Sequence, residues 1–115
     1  MKILIADDSQ FMRKVLKDIL NAAGHTDLVE CADGKECMAK YASEKPDLIL
    51  LDIIMPELDG MEVLKKIGHE AKIVVISAVG QEKMVEEAKK LGALDYIVKP
   101  FDNTQVLGTV KKIIG

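Results

Sequence analysis

The strongest constraint on the fold is a regular alternation of short apolar runs with stretches that repeat apolar residues at helical spacing. Three runs, at 3–6, 48–51 and 73–76, are almost continuously apolar, which is typical of strands covered on both faces. Five strands, each followed by a helix, predict an α/β protein whose parallel sheet has right-handed crossovers and helices on both faces. The predicted strands are 2–6, 28–32, 48–52, 72–77 and 95–99.

The segments between these runs have the apolar spacing of amphipathic helices. In the first segment the apolar positions from Met12 to Leu20 follow the i, i+3, i+4, i+7 pattern. Gly24 is placed to end that helix in the left-handed conformation. Further helices are predicted at 35–43, 61–67 and 81–91, and a fifth is predicted over the apolar positions of 106–114.

Length and composition favour one ordinary globular domain over residues 1–115, since 49% hydrophobic residues in 115 suffice for a single core. The formal net charge of -3 indicates neither a nucleic-acid-binding face nor an acidic tail. Cys31 and Cys37 do not form a C-x-x-C pair, and we expect reduced, partly buried thiols. No apolar stretch is long enough for a signal peptide or a membrane span, so we expect a cytoplasmic protein.

Polar residues lie at the C-terminal ends of four of the predicted strands. Asp7 and Asp8 directly follow the first strand, and the third, fourth and fifth strands end in Asp52, Ser77 and Lys99. Ligands of such sheets bind at the carboxyl ends of the strands, so these side chains should meet at one edge. Clustered carboxylates suit a hard cation such as Mg²⁺, and one carboxylate can act as a nucleophile toward phosphorus. Taken alone, Asp7-Asp8 could equally complement the dipole of the following helix.

The motifs at these positions resemble one known family. "DDS" after strand 1, "LLDIIMPELDG" at strand 3, "ISA" at strand 4 and "YIVKPF" at strand 5 are similar to the receiver domain of two-component response regulators. The resemblance runs the full length of the chain. It implies a flavodoxin-like, doubly wound, five-stranded parallel sheet of order 2-1-3-4-5 with five helices.

The resemblance also implies a role for several residues. Asp52 would accept a phosphoryl group from a histidine of a sensor kinase, and Lys99 would contact that group. Asp7, Asp8, Asp52 and the backbone carbonyl of Ile54 would bind Mg²⁺.

Two further residues would form the switch. Ser77 would move to hydrogen-bond the phosphoryl group, and Tyr96 would turn inward in the active state. The Lys99–Pro100 peptide bond would be cis.

Among family members, the chain is most similar to the stand-alone chemotaxis regulators of the CheY type. That similarity implies a CheA-like kinase, a motor switch protein or adaptor, and a possible phosphatase as partners of a monomer, with no nucleic acid and no membrane insertion. It implies a phosphoacceptor rather than an enzyme, with self-catalysed phosphotransfer and slow autodephosphorylation. Ile54 and Val79 are apolar where many members have polar residues, so we expect a long-lived phosphorylated form.

Several alternatives share parts of this pattern. A haloacid-dehalogenase-type phosphatase needs a second acid two residues after its nucleophile, where this chain has Ile54. A flavodoxin-like electron carrier needs a hydroxyl- and glycine-rich phosphate loop in place of Asp7-Asp8. The receiver domain of a longer response regulator, or a different single-domain relay protein, remains open on the motifs alone.

Overall fold

The computed structural model describes residues 1–114, within which five strands and five helices strictly alternate. The strands form one parallel sheet in the order β2-β1-β3-β4-β5, which confirms the predicted flavodoxin-like architecture. The elements are β1 (Ile3–Ala6), α1 (Gln10–Ala22), β2 (Leu28–Cys31), α2 (Gly34–Glu44), β3 (Leu48–Leu51), α3 (Gly60–Ile67), β4 (Ile73–Ser77), α4 (Glu82–Lys90), β5 (Asp95–Val98) and α5 (Asn103–Ile114).

The three central strands are buried along their whole length, as their continuous apolar sequences predict. Successive side chains of a strand point to opposite faces, so the sheet separates two apolar clusters. One cluster joins the sheet to α1 and α5, and the other joins it to α2, α3 and α4. Cys31 and Cys37 lie in the second cluster as free thiols, and both are fully buried rather than partly buried, because Cys37 is on the face of α2 that packs against the sheet and Cys31 lies at the end of β2 beneath it.

Side-chain caps begin four of the helices, α1, α2, α3 and α5. The Ser9 hydroxyl accepts from the Met12 N–H at 3.1 Å, and the Asp33 carboxylate accepts from the Glu36 N–H at 2.7 Å. Gly24 adopts the left-handed conformation predicted for it, with φ +93°, directly after the last turn of α1. None of the helices within residues 1–114 combines the length and the apolar character needed to cross a membrane.

Candidate functional site

Three carboxylates meet at the carboxyl edge of the sheet. Asp7 follows β1 and Asp52 follows β3, and these neighbouring strands pair Ala6 with Leu51, so the next residue on each strand lies beside the other. One carboxylate oxygen from each of Asp7, Asp8 and Asp52 lies within 4.8 Å of the others. Asp7 and Asp52 are buried, with 2% and 7% of their surfaces exposed, whereas Asp8 faces solvent.

The ammonium of Lys99 bridges the two buried acids. Its Nζ donates to Asp7 Oδ2 and to Asp52 Oδ2, each at 2.8 Å. The side chain reaches these acids from the end of β5, across the intervening strand β4, while its backbone N–H donates to the Ser77 carbonyl at 2.8 Å. The Lys99–Pro100 peptide bond is cis, as the family resemblance implies.

Burial and pairing act in opposite directions on the pKa values of this cluster. Desolvation raises the pKa of the Asp7 carboxyl, although the Lys99 ammonium and the Ser9 N–H oppose that rise by hydrogen bonding to the carboxylate. Burial by itself would lower the pKa of Lys99, but its hydrogen bonds to Asp52 and Asp7 outweigh burial, so the pKa lies above the ordinary value. Lys99 therefore stays charged and neutralises part of the cluster.

The loop after β3 fixes the carboxylate of Asp52. The Ile54 N–H donates to Asp52 Oδ1 at 3.2 Å, which holds the side chain at the sheet edge. The loop closes when the Gly60 N–H donates to the Ile53 carbonyl at 2.7 Å, and Asp59 caps α3. A Cβ on Gly60 would lie 2.3 Å from the Asp52 carbonyl oxygen, so only glycine fits there.

Ser77 and Tyr96, the two predicted switch residues, meet at one residue of the loop after β4. Ser77 is fully buried, and its Oγ accepts from the Val79 N–H at 3.2 Å. The Tyr96 hydroxyl donates to the Val79 carbonyl, and its ring is buried in the cluster under α4. Burial raises the pKa of the Tyr96 phenol, which therefore remains a donor at neutral pH.

The structure thus brings Asp7, Asp8, Asp52 and Lys99 together at one edge and places the Ile54 backbone beside Asp52. Asp59-Gly60 has the composition of an ordinary turn, and its sequence does not predict the close approach of Gly60 to Asp52. Gly60 is the last residue of the quoted strand-3 motif, and its place in that motif was the available signal.

The donor set fits a hard divalent cation. All three acidic side chains offer carboxylate oxygens within reach of one another, and the exposed carboxylate of Asp8 leaves one side open to water. Mg²⁺ prefers oxygen ligands and retains several waters, so the chemistry of this cluster suits it. Lys99 engages the Oδ2 atoms of Asp7 and Asp52, and each Oδ1 atom accepts one backbone N–H, which leaves it a second lone pair for a cation.

A family model and two relatives with known names place the chain among the same group of proteins. The family model described as the response regulator receiver domain matches residues 3–111. The chain is 46% identical to the chemotaxis protein CheY of Thermotoga maritima over 115 residues, which cover 97% of this chain and 96% of the relative. It is 43% identical to the chemotaxis protein CheY of Bacillus subtilis, over 99% of this chain and 98% of the relative.

Among solved structures, the chain superposes on a CheY from Borrelia burgdorferi with a TM-score of 0.94 and 35% identity, covering 100% of this chain and 90% of the other. That structure is described as a complex of CheX and CheY with BeF3 and Mg²⁺.

Proposed function

The chain belongs to the response regulator receiver domain family, and we propose that residues 1–115 act as one receiver domain that regulates chemotaxis when Asp52 is phosphorylated. The observation that carries this proposal is the bridge from Lys99 to Asp7 and Asp52 beside the exposed Asp8. The sequence similarity to two chemotaxis regulators, 46% and 43% identity over 97% and 99% of this chain, supports the chemotaxis role.

In the proposed reaction, a carboxylate oxygen of Asp52 attacks the phosphorus of a phosphohistidine on a sensor kinase. The new O–P bond forms as the P–N bond breaks, and the departing imidazole takes a proton from solvent. Self-catalysis follows from preorganisation, because Asp52 is 7% exposed and already oriented by the Ile54 N–H and the Lys99 ammonium.

The negative charge of the phosphoryl group is the main obstacle to the transfer, since the group must approach three carboxylates. Lys99 can leave Asp7 and donate to a phosphoryl oxygen while it remains beside Asp52. A Mg²⁺ ion held by Asp7, Asp8, Asp52 and the Ile54 carbonyl would neutralise negative charge on the phosphoryl oxygens. Asp8, the exposed member, would be the first of these residues to meet the ion from solvent.

The signal would leave the site through Ser77 and Tyr96. A phosphoryl group on Asp52 offers new acceptor oxygens, and the Ser77 hydroxyl, now accepting from the Val79 N–H, is the buried donor on the neighbouring strand. Because Val79 contacts both Ser77 and Tyr96, a shift of the loop after β4 would change the surface of α4, β5 and α5. That surface would bind a motor switch protein or adaptor, and a CheA-like kinase and a phosphatase would complete a cytoplasmic pathway for a monomeric regulator.

Phosphorylation of the purified protein by phosphoramidate tests the proposal, because this donor has the same P–N bond as phosphohistidine. With Mg²⁺ present, the wild-type protein should gain one phosphoryl group on Asp52, detected by intact mass spectrometry and peptide mapping. Asp52→Asn should gain none, whereas Asp18→Asn, a change at an exposed aspartate on α1, should behave like wild type. Phosphorylation at another residue, or equal phosphorylation of Asp52→Asn, would overturn the proposal.

Beryllofluoride provides a second test of the switch. Addition of beryllofluoride with Mg²⁺ should shift the amide resonances of Ser77, Val79 and Tyr96 in wild type and leave them unchanged in Asp52→Asn. The same shifts in both proteins would separate the switch from Asp52 and contradict the proposed route.

A further inference from the structure

Arg13 holds the peptide group that joins the two N-terminal acids of the site. Its Nη1 donates to the backbone carbonyl of Asp7 at 2.7 Å. That carbonyl belongs to the peptide between Asp7 and Asp8, so its direction sets the position of Asp8 relative to Asp7. The hydrogen bond therefore acts on the geometry of the carboxylate pair without involving either carboxylate.

The Arg13 guanidinium is held by two contacts, one to the Asp7 carbonyl and one to the Glu30 carboxylate. Arg13 Nε donates to Glu30 Oε1 at 3.0 Å, while Lys17 Nζ pairs with the other oxygen of Glu30, also at 3.0 Å. The Arg13 side chain is 15% exposed and lies in the first turn of α1, where its own N–H donates to the Ser9 carbonyl at 3.0 Å. A planar guanidinium can make both contacts at once because its donors have a fixed geometry.

Other hydrogen bonds hold the amide N–H and the carboxylate of Asp7, while Arg13 holds its carbonyl oxygen. The Asp7 N–H donates to the Cys31 carbonyl at 3.1 Å, which fixes the N-terminal side of the residue. Asp7 Oδ1 accepts from the Ser9 N–H at 2.9 Å, which fixes its side chain. The Ser9 contact also spans the Asp7–Asp8 peptide as a turn and restrains it locally, whereas the bond from Arg13 holds the Asp7 carbonyl oxygen itself.

We propose that Arg13 is a positioning residue for divalent-cation binding, which orients the Asp7–Asp8 peptide so that both carboxylates face Asp52. This inference rests on the proposed function. Groups that orient metal ligands typically change metal affinity by about 10-fold to 100-fold when removed. Loss of Arg13 should act at the lower end of that range, because Arg13 orients a backbone group rather than a ligand atom.

The direction of the effect separates positioning from simple electrostatics. Removal of a positive charge near three carboxylates favours cation binding if charge alone matters. Removal of the hydrogen bond to the Asp7 carbonyl disfavours it. Lys17 is a matched control, because it pairs with the same Glu30 carboxylate and carries the same charge.

The test is a Mg²⁺ titration of wild type, Arg13→Met and Lys17→Met, followed by the amide resonances of Asp8 and Asp52. Circular dichroism in EDTA first checks that each variant is folded. We expect Arg13→Met to bind Mg²⁺ about 10-fold more weakly than wild type, whereas Lys17→Met binds equally or more tightly. Equal affinities of the two variants, or tighter binding by Arg13→Met, would overturn the inference.

If Arg13→Met does not fold, Arg13→Lys replaces it, since lysine keeps the charge and lacks the fixed fork. Weaker Mg²⁺ binding by Arg13→Lys supports positioning, and wild-type affinity overturns it. If the wild-type protein neither binds Mg²⁺ nor accepts a phosphoryl group from phosphoramidate, the proposed function itself is wrong. If the wild-type protein does both and the Arg13 variants bind Mg²⁺ like the Lys17 control, only the inference about Arg13 is wrong.

Discussion

Substitution of Lys99 by methionine isolates the charge that holds the carboxylate cluster together. Methionine keeps an apolar stem of similar length but cannot donate to Asp7 Oδ2 and Asp52 Oδ2, each now 2.8 Å from Nζ. Two acids with only 2% and 7% exposure would then face each other without a counter-ion. In the absence of Mg²⁺ we expect Lys99→Met to be less stable than wild type.

The magnitude follows from the burial of the pair. Removal of one partner of a fully buried ion pair costs about 3–5 kcal/mol. Here Asp8 is open to solvent and the Lys99 side chain is 15% exposed, so water can reach the cluster and reduce the loss. We expect the free energy of unfolding to fall by about 2 kcal/mol at pH 7.

The loss should depend on pH with a definite sign. Without Lys99 the remaining carboxylates repel, so the pKa of Asp7, already raised by burial, rises further in the folded state. A carboxyl whose folded pKa exceeds its unfolded value destabilises the fold when ionised, and this penalty disappears as pH falls toward the usual carboxyl pKa of about 4. The difference between variant and wild type should therefore shrink between pH 7 and pH 5.

Urea denaturation followed by circular dichroism in EDTA measures this difference at each pH. Lys83→Met, at an exposed position on α4, controls for the loss of a lysine and should stay within about 0.5 kcal/mol of wild type. Added Mg²⁺ should recover stability in Lys99→Met, since the cation replaces the missing positive charge. A variant as stable as wild type at pH 7, or a loss unchanged down to pH 5, would refute the reasoning.

Three further predictions concern residues around the site. Gly60→Ala should lower the free energy of unfolding by about 1–3 kcal/mol in urea denaturation, because the new Cβ clashes with the Asp52 carbonyl. Gly108→Ala is the control and should not destabilise the protein, because no atom lies within 4 Å of the added Cβ. Glu30→Gln should cost less than about 1 kcal/mol in urea denaturation at pH 7, because Lys17 and Arg13 lower the pKa of Glu30. A carboxylate with a lowered folded pKa stabilises fully above its unfolded pKa of about 4.3 and loses this stabilisation as pH falls through the folded pKa, so the cost should shrink below about pH 4 and vanish only below the folded pKa. Ile54→Asn should release phosphate from Asp52 faster than wild type in a phosphate-release assay, because the apolar Ile54 is expected to keep hydrolytic water from the phosphoryl group. Equal or slower release by the variant would contradict that expectation.

Much of the fold follows from local patterns in the sequence. The continuous apolar runs at 3–6, 48–51 and 73–76 predicted buried central strands, and all three are buried. The helix ends were predicted to within one or two residues, except for α5, whose first turn begins at Asn103 and carries polar residues with no apolar spacing to indicate it. Strand order came from family resemblance, because periodicity does not say which strands are neighbours.

The candidate site likewise has features that the sequence predicted and contacts that it did not. The placement of Asp7 and Asp52 at strand ends was predicted from the sequence, because parallel strands bring their carboxyl ends to one edge. The position of Gly60 against the Asp52 carbonyl was not predicted, since a distance between two loop backbones leaves no periodic signal. The contact from Arg13 to the Asp7 carbonyl was also missed, because the arginine resembles any other polar residue on the first turn of a helix.

The sequence by itself therefore determined the elements, their parallel arrangement and the edge at which the acids collect, because these depend on side-chain periodicity and on the direction of the chain. The sequence also placed Lys99 at that edge, but only the tertiary structure decided that its ammonium bridges Asp7 and Asp52 and that Arg13 holds the Asp7 carbonyl. Lys99 reaches Asp7 from 92 positions away and Asp52 from 47, and Arg13 contacts Glu30 from 17. Contacts at such separations exist only after the strands have paired, since the sheet is what brings these distant parts of the chain within hydrogen-bonding distance.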